Sequence, residues 1–133
     1  MPVSSQGFLN EARWVFNEHC SGEDRYRLVV SRAYYGLYHC ALEHADALVA
    51  PPLSACGGGS HAKVSSFYQD HYAGDRDLTR QYRKIGINLL RLHGQRVKAD
   101  YKLVESVFIQ DSESVLLSCE SLFAQLIQLK AAA

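Results

Sequence analysis

The chain has 133 residues, 47% of them hydrophobic, and its 14 basic side chains balance its 14 acidic ones. That apolar content can bury one core and excludes a disordered chain, while apolar runs of four residues or fewer exclude a membrane-spanning helix of roughly 20 residues. No basic start followed by an apolar block marks a secretory signal, so a soluble, cytoplasmic protein is expected.

Ser4 or Ser5 caps a first helix carrying Phe8, Leu9, Ala12, Phe16 and Cys20 at helical spacing, which Gly22 ends or interrupts. Ser21 and Asp24 have the spacing of a capping box, opening a second helix from about Glu23 to Val49. Two prolines and three consecutive glycines follow, so residues 50–60 are expected as a flexible loop. A shorter helix spans about His61 to Tyr72. From Asp75 a long helix continues to about Tyr101, with Gly94 as a weak point.

Asp111 or Ser112 caps a last helix with an apolar stripe of Val115, Leu116, Cys119, Leu122, Phe123, Leu126 and Ile127. Between these helices, residues 101–109 can form a short extended piece. The pattern predicts a single all-α domain over residues 1–133, an antiparallel up-and-down bundle of four to five helices. Cys20, Cys40, Cys56 and Cys119 are scattered, which indicates neither a zinc knuckle nor a redox pair, and no metal or cofactor is expected.

Charge is unevenly placed. The segment from Arg80 to Lys102 holds seven basic residues against the single acid Asp100. On a continuous helix Arg80, Lys84, Arg91 and Lys98 share one face, a candidate contact for an RNA backbone as well as an ordinary solvated face. Tyr82, Ile85, Leu89, Leu92, Arg96 and Asp100 share the opposite, core-facing side. Arg96 and Asp100, four residues apart, can form an ion pair that fastens helices or that aims the remaining guanidinium donors at a phosphate.

The stretch SRAYYGLYHCALEHA poses a similar choice. Leu28, Arg32, Tyr35 and His39 fall on one side of the second helix. A histidine there can serve as general acid or base and an arginine can stabilise a phosphate, or both can belong to a polar seam of the bundle. Gly36 in mid-helix predicts close approach of another helix. Tyr34 and Tyr38 are placed on a neighbouring face, at an edge or in a dimer interface.

Together RYRLVVSRAYYGLYHCALEHADAL, SHAKV and LLRLHGQRVKADYKL resemble the small stand-alone HEPN domains (higher eukaryotes and prokaryotes nucleotide-binding), over roughly Leu9 to Ile127. The resemblance implies a helical bundle, a homodimer, and for many relatives a metal-independent ribonuclease. Such relatives act as toxins or in defence, commonly paired with a minimal nucleotidyltransferase as antitoxin. Arg32, His39 and Arg96 are then the candidate catalytic residues, with Tyr35, Asp100 and Tyr101 in support.

Active HEPN nucleases have an arginine, four to six residues, then a histidine near the start of a late helix. At the similar place here Arg96 is followed by Asp100 and Tyr101 and no histidine. Arg32 and His39 satisfy that spacing, but so do Arg13 and His19. The alternative implied is a catalytically silent module that binds a nucleotide, RNA or a partner nucleotidyltransferase. Some relatives carry a tyrosine just beyond their histidine, which also marks Tyr101 as a possible modification target.

Overall fold

The computed structural model describes residues 3–132, and over these the chain is an all-α bundle of five helices with no strand among the described residues. Ser4 caps α1 (Ser5–His19), its hydroxyl accepting from the Gly7 N–H at 3.0 Å. Leu9, Ala12 and Val15 form its buried stripe. The helix stops at His19, before Gly22. No capping box follows. The Ser21 N–H donates to the His19 carbonyl at 2.9 Å, which holds Ser21 in a turn outside α2 (Glu23–Leu48), and Gly22 occupies the capping position without a side-chain bond.

Helix α2 is the centre of the bundle, with α1, α3, α4 and α5 packed around it. Tyr34 and Tyr38, expected at an edge or dimer interface, are buried in the protein's own core because neighbours cover α2 on most sides. Gly36 does mark a close approach. A Cβ there would lie 3.0 Å from the Leu9 nitrogen and the Ser5 carbonyl of α1.

The linker after α2 contains one 3-10 turn, Leu53–Ala55. The Asp46 carboxylate accepts from the Ser54 N–H at 2.8 Å, and Lys63 donates to the Cys56 carbonyl at 2.8 Å. Linker residues thus fold back along α2, and α3 (Ser60–Asp70) runs parallel to it. Tyr34 meets His61 and Tyr68 meets the Ala41 carbonyl, so contacts advance together along both helices.

Asp75 caps α4 (Arg76–Tyr101) by accepting from the Asp77 N–H at 2.7 Å, and α4 passes through Gly94 without a break. It lies antiparallel to α3, and Gly86 permits the contact. A Cβ at Gly86 would sit 2.7 Å from the Ser65 carbonyl and 2.8 Å from the Gln69 nitrogen, both backbone atoms. Gly86→Ala is therefore expected to lower stability by about 2 kcal/mol through overpacking. Urea denaturation checks this, and a loss below about 0.5 kcal/mol would mean that α3 moves aside freely.

Residues 102–108 form turns and loop, without an extended strand. Helix α5 (Ile109–Ala132) begins ahead of the expected caps, so Asp111 and Ser112 lie within its first turn. Asp111 accepts from the Phe108 N–H and Ser112 donates to the Ile109 carbonyl, both at 2.8 Å. The expected stripe faces the core except for Ile127, which is exposed. No described helix is long and apolar enough to cross a membrane.

Candidate functional site

Antiparallel packing of α2 and α4 aligns the polar residues of both. At one end Ser31 donates to an Asp100 oxygen at 3.2 Å. One turn further along, the Arg96 guanidinium donates to the Tyr35 hydroxyl. Arg96 Nε lies 3.0 Å from Asp100 Oδ2, an ion pair in which the N–H is not aligned as a hydrogen bond. The guanidinium carbon lies over two rings, 4.9 Å from the centre of Tyr35 and 5.3 Å from that of Tyr101. Only 11% of the Arg96 side chain is exposed. A carboxylate and two π faces thus stand where the guanidinium has lost water.

Two histidines that the sequence reading did not single out complete the group. His93 lies one turn before Arg96 on α4, and the first turn of α3 brings in His61. Their rings stack with centres 4.6 Å apart. His61 Nδ1 is 2.7 Å from the Tyr34 hydroxyl, and its ring lies 4.4 Å from that of Tyr38. Burial first, then the positive potential of His93, Arg96 and His39, pushes His61 down to about 4. His93 is lowered as well, by burial and then by Arg96. Burial raises Tyr34 above the ordinary phenol range. The Tyr34 hydroxyl therefore stays protonated, and where it donates to His61 Nδ1 the proton of neutral His61 sits on Nε2.

His39 lies at the edge of this cluster, stacked on Phe8 of α1 at 5.7 Å and 6.2 Å from the Tyr35 ring. Arg32 turns toward α1 instead. Its guanidinium lies 5.9 Å from the Phe8 ring and its Nε 3.9 Å from a Glu11 oxygen. Tyr35, His39, Arg96, Asp100 and Tyr101 thus form one neighbourhood, while the contacts of the Arg32 guanidinium are with Phe8 and Glu11 of α1. The expected basic face of α4 exists, with Arg80, Lys84 and Arg91 exposed and Lys98 half-buried. Arg91 bonds Asn88 at 3.3 Å beside a cavity between α4 and α5. Among the described residues no group of three or more histidine, cysteine or acidic side chains is arranged to hold a metal ion.

Compared with known proteins, the chain matches no family model, no curated protein and no solved structure. What the site can do is therefore judged from its own chemistry. Three imidazoles, a desolvated guanidinium and a protonated phenol stand together on three helices, which suits proton transfer beside a phosphate.

Proposed function

We propose that this domain is an RNA-cleaving module of the HEPN type, working through imidazole and guanidinium groups without a metal. The observation that supports it is the convergence of His39, His61 and His93 around Arg96. In the proposed reaction neutral His93 takes the proton of a ribose 2′-hydroxyl, and the 2′-oxygen attacks the adjacent phosphorus. The bond from phosphorus to the 5′-oxygen breaks, and His39 as general acid supplies the proton to that leaving oxygen. Arg96 and the His61 Nε2–H hold the phosphate oxygens as charge builds. The products are a 2′,3′-cyclic phosphate and a 5′-hydroxyl.

Lys84, Arg91 and Lys98 would add sequence-independent contacts to the RNA backbone. A role as toxin or defence component, with a minimal nucleotidyltransferase as antitoxin, follows from the resemblance. The same holds for a homodimer, which the exposed apolar side chains of Leu103, Val104 and Phe108 suit.

The test uses purified protein, free of any partner, with several single-stranded RNAs and a chelator. Cleavage ending in 2′,3′-cyclic phosphate is expected. His39→Ala and His93→Ala should each reduce it at least about 100-fold while RNA binding remains, and Arg96→Ala should weaken both. Thermal melts accompany each variant, since an unfolded protein imitates a catalytic defect. Wild-type rates in well-folded His39→Ala and His93→Ala proteins would remove the two residues from the mechanism.

A second reading has its own support. Arg96 is already held by Tyr35, Tyr101 and Asp100, and no histidine follows it at nuclease spacing. An absence of chelator-resistant cleavage would favour this reading, a silent module that binds nucleotide, RNA or a partner nucleotidyltransferase.

A further inference from the structure

We infer that the corner between α3 and α4 is a second site, one that takes a terminal phosphate group carried by a nucleotide. A cavity of about 400 Å³ opens there between the end of α3 and the first two turns of α4. That volume lies in the lower part of the range of small-molecule sites. Arg76, Arg80 and Arg83 line it, and their spacing of four and three residues puts all three on one face of α4.

These arginines differ from the others that hold the fold together. Arg13, Arg27, Arg32 and Arg96 each meet a carboxylate, whereas none of the three at the corner is in an ion pair among the described residues. The nearby Asp75 carboxylate is used to cap α4. Asp70 is the one acid lining the cavity. Three guanidinium charges against one carboxylate leave an excess of two positive charges, which matches a terminal phosphate carrying about −1.5 to −2 at neutral pH.

Other lining groups fit the same ligand. The Thr79 hydroxyl accepts from the Ala73 N–H at 2.9 Å, so its own proton is free to donate into the cavity. His71 is fixed by stacking on Phe67 at 5.0 Å and by Tyr82 at 4.9 Å. Tyr72, at the rim, is 74% exposed and offers a face on which a base can stack. Asp70 can accept from a sugar hydroxyl.

The site is separate from the histidine cluster. From Arg83 to Arg96 is about 20 Å along α4 at 1.5 Å per residue, too far for one phosphate to reach both. The inference therefore does not rest on the ribonuclease reading. Two sources share the chemistry, a free nucleotide and the 5′ end of an RNA strand.

The experiment measures binding at about 0.15 M salt, where loose backbone attraction is screened. The probes are ADP and a short 2′-O-methyl RNA bearing either a 5′-phosphate or a 5′-hydroxyl. Lacking a 2′-hydroxyl nucleophile, the strand cannot be cut, so the result is independent of cleavage. Saturable binding of ADP, of the 5′-phosphorylated strand or of both is expected, weakened at least about tenfold by Arg80→Gln with Arg83→Gln. Arg25→Gln with Lys102→Gln, two exposed cations outside both sites, should leave it unchanged. Binding of ADP assigns the site to a free nucleotide, and binding of the phosphorylated strand alone assigns it to an RNA end. The proposal is overturned if neither phosphate probe saturates, or if ADP fails and the 5′-hydroxyl strand binds as well as the phosphorylated one. Equal loss in the Arg25/Lys102 control would overturn it too. Arg25, Arg80, Arg83 and Lys102 are all exposed, so thermal melts of the variants should match wild type.

Discussion

Replacing Arg27 with alanine is expected to lower the stability of the protein by about 3 kcal/mol, the largest effect of any single polar side chain here. The Arg27 side chain is only 12% exposed. It donates to the carbonyls of Lys98 at 3.1 Å, Ala99 at 2.9 Å and Lys102 at 3.4 Å, and to that of Glu105. Glu23, one turn earlier on α2, accepts from it at 2.8 and 3.0 Å. The last carbonyls of a helix have no partner within the helix, and Arg27 supplies one for α4 while holding the 102–108 loop in place. Alanine leaves these groups to water that a half-buried site admits poorly. Lysine should restore little, because one ammonium cannot reproduce a planar fork. Urea denaturation of Arg27→Ala measures the loss, and a value below about 1 kcal/mol would show that solvent satisfies the α4 end unaided.

Acid is expected to act almost as strongly. His61 is held at about 4 against an ordinary 6.5, by burial and by the nearby His93, Arg96 and His39. The unfolded chain therefore binds a proton at higher pH than the folded one, so stability is full above about pH 6.5 and falls as pH drops toward about 4. His93 and His44 are lowered too, each chiefly by burial, and add loss of the same sign. The His61 contribution is about 1–2 kcal/mol once the solvent on the open side of the ring is allowed for. Denaturation midpoints should fall between about pH 7 and about pH 4.5, and His61→Gln should flatten the fall. A profile equally steep in His61→Gln would assign the acid sensitivity to other groups.

Local patterns made much of this legible in advance. The span of α4 from Asp75 to Tyr101 and the Gly36 contact follow from spacing and residue type alone, because helical periodicity and backbone sterics act over a few residues. The pairing of Tyr35 with Arg96 was within reach for the same reason, since both lie on core-facing stripes of antiparallel helices. His61 was not. Its place beside Tyr34 depends on the linker doubling back to set α3 parallel to α2, and a run of glycines says nothing about the path it takes. Arg27 escaped notice because its partners are backbone carbonyls 71 to 78 residues away, which carry no side-chain signature. The direction of Arg32 was equally hidden, as a half-buried arginine can lean to either neighbour and only packing decides that it meets Phe8 and Glu11.

The two sides of α2 are joined by different forces. Toward α5 the contact is made by Val115, Leu116, Cys119, Leu122, Phe123 and Leu126, all buried and apolar. Toward the α3–α4 hairpin it is threaded with phenols, imidazoles and guanidiniums, among them His44 with Tyr82, Tyr34 with His61, Tyr35 with Arg96 and Ser31 with Asp100. Protons and salt reach only the second seam, because apolar packing has nothing to titrate or screen. The hairpin is thus the part of the molecule whose grip on α2 the surrounding solution sets, while the apolar contact between α2 and α5 is indifferent to protons and salt.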